Sequence, residues 1–188
     1  MRIIGGAFRG KKIILPKDKS TRPLRDLVKE SIFNIIIHSN KLSVKIENSE
    51  VLDLFSGVGS FGLECISRGA KKVTFIENYE EAINILIQNL KNLKSVNNFK
   101  IIKKDIFNNF NFISLNQKFD FIFLDPPYKE KNIFSILNSI VISNILTSSG
   151  IIIIHRHKNE KDKFPEKIKL IEEKNYGLSK IIFFKQLN

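Results

Sequence analysis

The chain has 188 residues, 43% of them apolar, enough for one domain with a full core and a small appendage. Its apolar stretches are too short and too broken by charge for a ~20-residue membrane span, and its first residues lack the apolar core of a secretory signal. One cysteine, Cys65, excludes an internal disulfide and a multi-cysteine zinc site, while thirty-one Lys and Arg against nineteen Asp and Glu give a net charge of +12. A cytoplasmic monomer is the expectation.

The positive charge is concentrated at the start of the chain. Residues 1–41 carry ten basic and three acidic side chains, including arginines at 2, 9, 22 and 25. That distribution is the footprint of a phosphate-backbone partner. Residues 2–15 read as a basic hairpin, with turns at Gly5-Gly6 and Arg9-Gly10. Thr21-Arg22-Pro23 then opens a helix, Thr as cap and Pro in the first turn. Leu24, Leu27, Val28, Ser31, Ile32, Ile35 and Ile36 give it one apolar face. Residues 40–50 are polar and separate an N-terminal extension, residues 1–45, from a main domain, residues 46–188.

From residue 51 strands and helices alternate. Val51–Phe55 reads as a strand, Ser60–Arg68 as a helix closed by Gly69, Lys72–Ile76 as a strand and Glu80–Leu93 as a helix. Phe99–Lys103 and Phe119–Leu124 follow as strands, Ile133–Leu146 as a helix, and Gly150–His155 as a strand buried on both faces. Ile168–Lys174 and Ser179–Phe184 flank a turn at Asn175-Tyr176-Gly177. The pattern predicts an α/β, doubly wound sheet with an antiparallel C-terminal hairpin.

Two strand ends carry the chemistry. The first runs into Asp53-Leu54-Phe55-Ser56-Gly57-Val58-Gly59-Ser60-Phe61-Gly62, where glycines without Cβ let a ligand approach the backbone at a helix N-terminus. The spacing Gly57-x-Gly59-x-x-Gly62 also fits a dinucleotide fingerprint. Asp53 separates the two readings: a carboxylate repels a pyrophosphate and suits the ammonium and sulfonium of S-adenosylmethionine. Glu77, at the next strand end, is placed to accept hydrogen bonds from ribose hydroxyls. Asp105, after the third strand, is placed for the adenine amino group, with Ile106 covering the ring. Phe55, Ser56 and Asn78 complete the expected cofactor set, and no metal is expected.

The second strand end is Asp125-Pro126-Pro127-Tyr128. An exocyclic amino nitrogen is a poor nucleophile because its lone pair is delocalised into the base. The Asp125 carboxylate and Pro126 carbonyl can accept its two N–H bonds, and the Pro126-Pro127 pair stiffens the segment. Tyr128 can stack on the base, a contact worth about 1–3 kcal/mol. Methyl transfer then needs mainly positioning. Cys65 reads as a packed mid-helix thiol. His155 and His157 receive no role.

With these residues in view, the chain resembles the bacterial 16S rRNA guanine(966)-N(2)-methyltransferase family, the RsmD-like enzymes. The likeness begins at Arg2-Ile3-Ile4-Gly5-Gly6, Arg9-Gly10, Arg22-Pro23 and Glu30-Ser31-Ile32-Phe33-Asn34, its most specific part. It continues through Leu52–Gly59, Gly62-Leu63-Glu64, Ile76-Glu77, Asn89-Leu90 and Asp125–Tyr128. It implies a seven-stranded class I, Rossmann-like methyltransferase domain with a small N-terminal extension. The implied substrate is a guanine of 16S rRNA in an assembling small ribosomal subunit. Arg2, Arg9, Lys11, Lys12, Arg22 and Arg25 are the expected RNA contacts. Leu24, Leu27, Lys29 and His155 depart from the family's usual residues.

Three other readings compete. An adenine-N6 methyltransferase acting on DNA or RNA shares the tetrapeptide, but the DNA enzymes usually carry a recognition domain for which this chain has no room. A nucleic-acid binder without activity has no use for Asp53, Glu77, Asp105 and Asp125 facing a phosphate polymer. An NAD-dependent oxidoreductase is disfavoured by Asp53.

Overall fold

Four consecutive isoleucines divide between two cores: Ile151 and Ile153 pack on one side of the sheet, Ile152 and Ile154 on the other. The computed structural model in which they lie describes residues 1–16, 24–94, 96–108, 110–127 and 130–187. The same alternation assigns Phe121 and Phe123 to one side, Ile122 and Leu124 to the other. Successive side chains of a strand point to opposite faces, so a run apolar at every position is a strand covered twice.

In chain order the elements are α1 (Asp26–His38), β1 (Glu50–Leu54), α2 (Ser60–Ser67), β2 (Lys72–Glu77), α3 (Glu80–Asn92), β3 (Phe99–Lys103), β4 (Phe119–Leu124), α4 (Ile133–Ile142), β5 (Leu146–His157), β6 (Ile168–Tyr176) and β7 (Ser179–Gln186). A short 3-10 turn covers Phe112–Leu115 before β4. The seven strands form one sheet in the order β3-β2-β1-β4-β5-β7-β6. β1 to β5 run parallel, and β7 inserts antiparallel between β5 and β6. The chain winds outward from β1 through β2 to β3, then returns to β4 on the other side of β1. That reversal opens a crevice beyond the C-terminal ends of β1 and β4, where ligands bind in such sheets.

Several expected boundaries shift, each for a visible reason. The helix expected over Ile133–Leu146 stops at Ile142, because Asn144 adopts φ 48° and turns the chain. Leu146 instead begins β5, paired with Phe119, and the register to β4 then slips before Ile151. The strand expected from Gly150 therefore starts four residues earlier, with polar Thr147-Ser148-Ser149 inside the irregular stretch. The hairpin turn sits at Gly177-Leu178 rather than Asn175–Gly177, because β6 continues through Tyr176.

The N-terminal segment is less regular than a hairpin and is built onto the domain. A single antiparallel bridge joins Arg2 and Lys12, flanked by Ile3 N–H to the Lys11 carbonyl at 2.9 Å. Ile3 and Ile13 enter the same core as Val51, Phe61 and Phe123. Each such side chain contributes about 1.5–3 kcal/mol when fully buried. The Thr21-Arg22-Pro23 helix opening lies outside the described residues. On α1 the expected apolar face fails at Leu27, which is exposed, while Lys29, not part of that expected face, is fully buried. Lys29 Nζ donates to the Arg2 carbonyl at 2.6 Å and lies 3.8 Å from Glu64 Oε2, so the ammonium exchanges water for built-in acceptors. Burial nonetheless pushes its pKa down, against the pull of Glu64 and Asp26.

Candidate active site

The crevice beyond β1 and β4 holds a cavity of about 500 Å³ lined by Asp53, Phe55, Ser56, Gly57, Glu77, Asn78, Asp105, Ile106, Asp125, Pro126 and Pro127, among others. Residues from four strand ends thus meet in one space, although seventy-two positions separate Asp53 from Asp125. The parallel register explains it: Leu54 pairs with Leu124, so the segments leaving β1 and β4 start side by side. Leu24, just ahead of α1, also lines the cavity.

Asp53 is the most constrained group. It is buried, and its Oδ2 accepts from the Gly62 N–H at 2.9 Å. Burial pushes its pKa well above the usual carboxylate range; the Gly62 hydrogen bond opposes this, and nearby Asp125 and Glu77 add to it. The turn that follows bends sharply, with Phe55 at φ 57°, Gly57 at φ 53° and Gly59 at φ 84°. A Cβ at Gly57 would meet nothing within 4 Å, so the backbone there borders open space. At Gly59 a Cβ would lie 2.4 Å from Leu86 Cδ1, so that glycine serves packing.

Glu77 braces this turn. Its Oε2 accepts from the Gly57 N–H at 2.7 Å, and its Oε1 accepts from the Asn78 and Tyr79 N–H groups at 2.9 Å. A carboxylate offers about four lone-pair positions, so the backbone already uses three. Ser56 is buried and donates toward the Ile76 carbonyl, while Asn78 is exposed. Asp105 is exposed and closes a short turn by accepting from the Phe107 N–H at 2.9 Å; Ile106 behind it is buried. The Phe55 and Phe107 rings, 5.0 Å apart, join the β1 and β3 loops across the cavity. Phe61 and Phe123 stack at 4.2 Å and extend this apolar lining toward α1 through Phe33.

On the β4 side, Pro126 is buried and Pro127 exposed, while Tyr128 lies outside the described residues. The Asp125 carboxylate meets a residue to which the sequence pattern assigned no role: its Oδ1 is 2.8 Å from His155 Nδ1. His155 Nε2 is in turn 2.9 Å from Ser179 Oγ on β7. An ionised carboxylate only accepts, so the Nδ1 proton points at Asp125, and in the neutral imidazole Nε2 accepts from the Ser179 hydroxyl. Arg156, also unassigned from sequence, is fully buried beside the same segment. The sequence signal for both was a polar His-Arg-His following a strand of buried isoleucines.

The expected RNA-contact residues lie along the N-terminal segment. Arg2, Arg9, Lys12 and Arg25 are exposed, and Arg22 lies outside the described residues. Lys11 is partly used by the fold itself, its Nζ donating to the Asn92 carbonyl at 3.0 Å and lying 5.2 Å from the centre of the Phe8 ring. The segment is fastened to α2: Ile4 N–H donates to Glu64 Oε2 at 2.8 Å and Phe8 N–H to Ser67 Oγ at 2.9 Å. Asn89 on α3 joins it to the glycine turn, exchanging hydrogen bonds with Ile14 and donating to the Val58 carbonyl at 3.2 Å. Cys65 is buried in α2, where desolvation pushes its thiol pKa up and disfavours the thiolate. No cluster of three metal-ligating side chains occurs among the described residues.

The strand order, the acidic glycine turn at the switch point and the Asp-Pro-Pro segment beside it define a methyltransferase of the class I, Rossmann-like type. The chain belongs to the family described as conserved hypothetical protein 95, which it matches over residues 1–185. It is 34% identical over 182 residues to Ribosomal RNA small subunit methyltransferase D of Haemophilus influenzae, covering 95% of this chain and 90% of that protein. The Escherichia coli protein of the same name is 31% identical over 157 residues, 82% of this chain and 73% of its own. The solved structure of Escherichia coli yhhF superposes with a TM-score of 0.80 at 28% identity, covering 100% of this chain and 98% of that one.

Proposed function

We propose that this protein methylates the exocyclic N2 amino group of a guanine in 16S rRNA, of the guanine(966)-N2 type, with S-adenosylmethionine as methyl donor. The observation that carries the reading is that Asp53, near the end of β1, and Asp125, just beyond the end of adjacent parallel β4, line one cavity. The relatives named as small-subunit rRNA methyltransferases support the RNA substrate.

The residues fit the donor. Asp53 is a buried carboxylate whose negative charge the fold leaves poorly compensated, which favours a cationic ligand. The open backbone at Gly57 accommodates close approach, and Glu77 has acceptor capacity left for a ribose hydroxyl, with the Gly57 N–H as the bond to yield. Phe55 and Ile106 supply apolar cover for an adenine. Ser56, Asn78 and Asp105 complete the pocket, while Gly59 shapes its turn by packing closely on Leu86. Bound there, S-adenosylmethionine supplies an electrophilic methyl group.

On the acceptor side, Asp125 and the Pro126 carbonyl take the two amino hydrogens and turn the nitrogen lone pair toward the methyl. Asp125 serves as base for the proton that nitrogen sheds, Pro127 stiffens the segment, and Tyr128 stacks on the base. The protein works in the cytoplasm as a monomer on an assembling small subunit, without a membrane or a metal. Residues 1–45 guide the RNA, with Arg2, Arg9, Lys12, Arg22 and Arg25 against phosphates and Lys11 in a lesser part. Residues 46–188 carry the chemistry.

The test supplies isotopically labelled S-adenosylmethionine with unmethylated small subunits, naked rRNA and DNA in parallel, followed by mass spectrometry of the digested nucleosides. Labelled N2-methylguanosine from subunits or rRNA is the expected product. Labelled N6-methyladenine instead would overturn the choice of base.

A further inference from the structure

β4 ends at Leu124, but β5 runs three residues further, to His157, because β7 continues to pair with it. The segment leaving β4 therefore meets the overhanging end of β5 rather than solvent. Arg156 on that overhang is fully buried, and its donors are directed at two places. Nε and Nη2 donate to the two oxygens of Asp162 at 2.9 and 2.8 Å, a bidentate pair that neutralises the guanidinium. Nη1 donates to the Pro127 carbonyl at 3.3 Å and Nη2 to the Glu130 carbonyl at 2.7 Å. Glu160 Oε2 adds charge at 3.7 Å. The Pro127 carbonyl also accepts from the Glu130 N–H at 2.9 Å, so both described ends of the 127–130 stretch are tied to each other and to one side chain.

We propose that Arg156 is the positioning residue of the acceptor segment: its planar fork holds the Pro127 and Glu130 carbonyls and thereby sets where Asp125 and Pro126 present themselves to the base. This rests on the reading of that segment as the amino-group site. A guanidinium suits the task because it stays charged when buried and offers donors in a fixed plane, whereas a lysine ammonium has one centre and no fork. Asp162 orients the guanidinium, leaving its remaining donors for the two carbonyls. Arg156 is not among the residues that line the cavity and acts through the backbone it holds.

The deciding variant is Arg156→Lys, which keeps the charge and removes the fork. It is read two ways: methylation kinetics on small ribosomal subunits with S-adenosylhomocysteine affinity by calorimetry, and amide hydrogen exchange across residues 126–133. The expected result is unchanged S-adenosylhomocysteine affinity with kcat lowered about 10–100-fold, because a displacement near 1 Å can cost about 10²-fold. The Glu130 amide should exchange faster, and millimolar guanidinium should restore part of the turnover of Arg156→Gly. Wild-type kcat with unchanged exchange would overturn the proposal. So would loss of S-adenosylhomocysteine binding in step with kcat, which marks a residue that merely maintains the fold. If Arg156→Lys does not fold, Asp162→Asn serves with the same readouts, faster Glu130 exchange with retained donor-site binding being expected and unchanged exchange overturning. A wild-type protein that methylates no nucleic acid would refute the function of the site, while the exchange readout still decides whether Arg156 holds the segment.

Discussion

His155 Nδ1 lies 2.8 Å from Asp125 Oδ1, one residue beyond the point where β4 stops pairing with β5. The parallel register that matches Leu124 with Ile154 carries Asp125 to His155. The imidazole thereby fixes one oxygen of the carboxylate that, in the proposed reaction, accepts an amino hydrogen. Hydrogen bonds to charged groups contribute about 1.5–3 kcal/mol. His155→Leu should therefore lower kcat roughly 10–100-fold without weakening S-adenosylhomocysteine binding. Ser179→Ala, which removes only the hydroxyl that meets the far side of the imidazole, should cost about fivefold or less. Steady-state kinetics on rRNA or subunits checks both, and equal activity of His155→Leu and wild type would remove His155 from the mechanism.

In the proposed reaction Asp53 should link donor binding to pH. Its folded pKa is raised above the unfolded value, so the stability associated with its protonated form is full below the ordinary carboxylate pKa and is lost as pH rises through the folded value. Asp53→Asn retains an oxygen for the Gly62 N–H and abolishes that loss. It should melt higher than wild type at neutral pH, with the difference vanishing in acid. Donor affinity should behave oppositely: a cationic ligand gains as Asp53 ionises, so wild-type affinity rises with pH and the variant's is weak and flat. Thermal melts and calorimetry across pH measure the two slopes, and parallel pH profiles for the two proteins would contradict the assignment.

Gly6 tests how firmly the N-terminal segment is docked. It has φ 73°, and a Cβ there would lie 1.8 Å from the Ser67 carbonyl oxygen, a backbone atom that cannot swing aside. Gly6→Ala should destabilise the protein by about 2–4 kcal/mol, from left-handed strain plus overpacking. Gly10 has φ 88° and open space around a Cβ, so Gly10→Ala should cost only the strain, about 1–2 kcal/mol. Urea unfolding midpoints give the comparison; equal losses would mean that the close approach to Ser67 does not matter.

The exposed cations of the extension should reveal themselves through salt. Replacing Arg2, Arg9, Lys12 and Arg25 with glutamine one at a time should flatten the dependence of log affinity on log salt. Each phosphate of single-stranded RNA that a cation neutralises is worth about 0.7 in that slope. Filter binding over a salt series measures it. A slope unmoved by all four changes would place the RNA elsewhere.

The order of strands and helices was readable from the chain because it depends on local pattern: a double-faced apolar run at Ile151–Ile154, a helical rhythm at Glu80–Asn92, glycines after Asp53. Errors clustered where a local signal was overruled by a partner distant in sequence. Leu146 continues an apolar helix by pattern, but Asn144 turns the chain and Phe119 supplies a strand pairing. Leu27 leaves the expected apolar face, and Lys29 is buried because the Arg2 carbonyl and Glu64 meet its ammonium on the inner face of α1.

The candidate site divides in the same way. Sequence alone placed four acids at strand ends, since Asp53, Glu77, Asp105 and Asp125 each lie at or just beyond the end of an apolar run that must be a strand. Only the tertiary structure decided what those groups do before a ligand arrives. Glu77 spends its oxygens on the glycine turn, Asp53 is buried where its charge is costly, and His155 and Arg156 take hold of the Asp125–Pro127 segment. The physical reason is register. Which side chain stands opposite Asp125 depends on how β5 aligns with β4 and how far β7 carries it past the end of its neighbour, and neither quantity is encoded in any single stretch of chain.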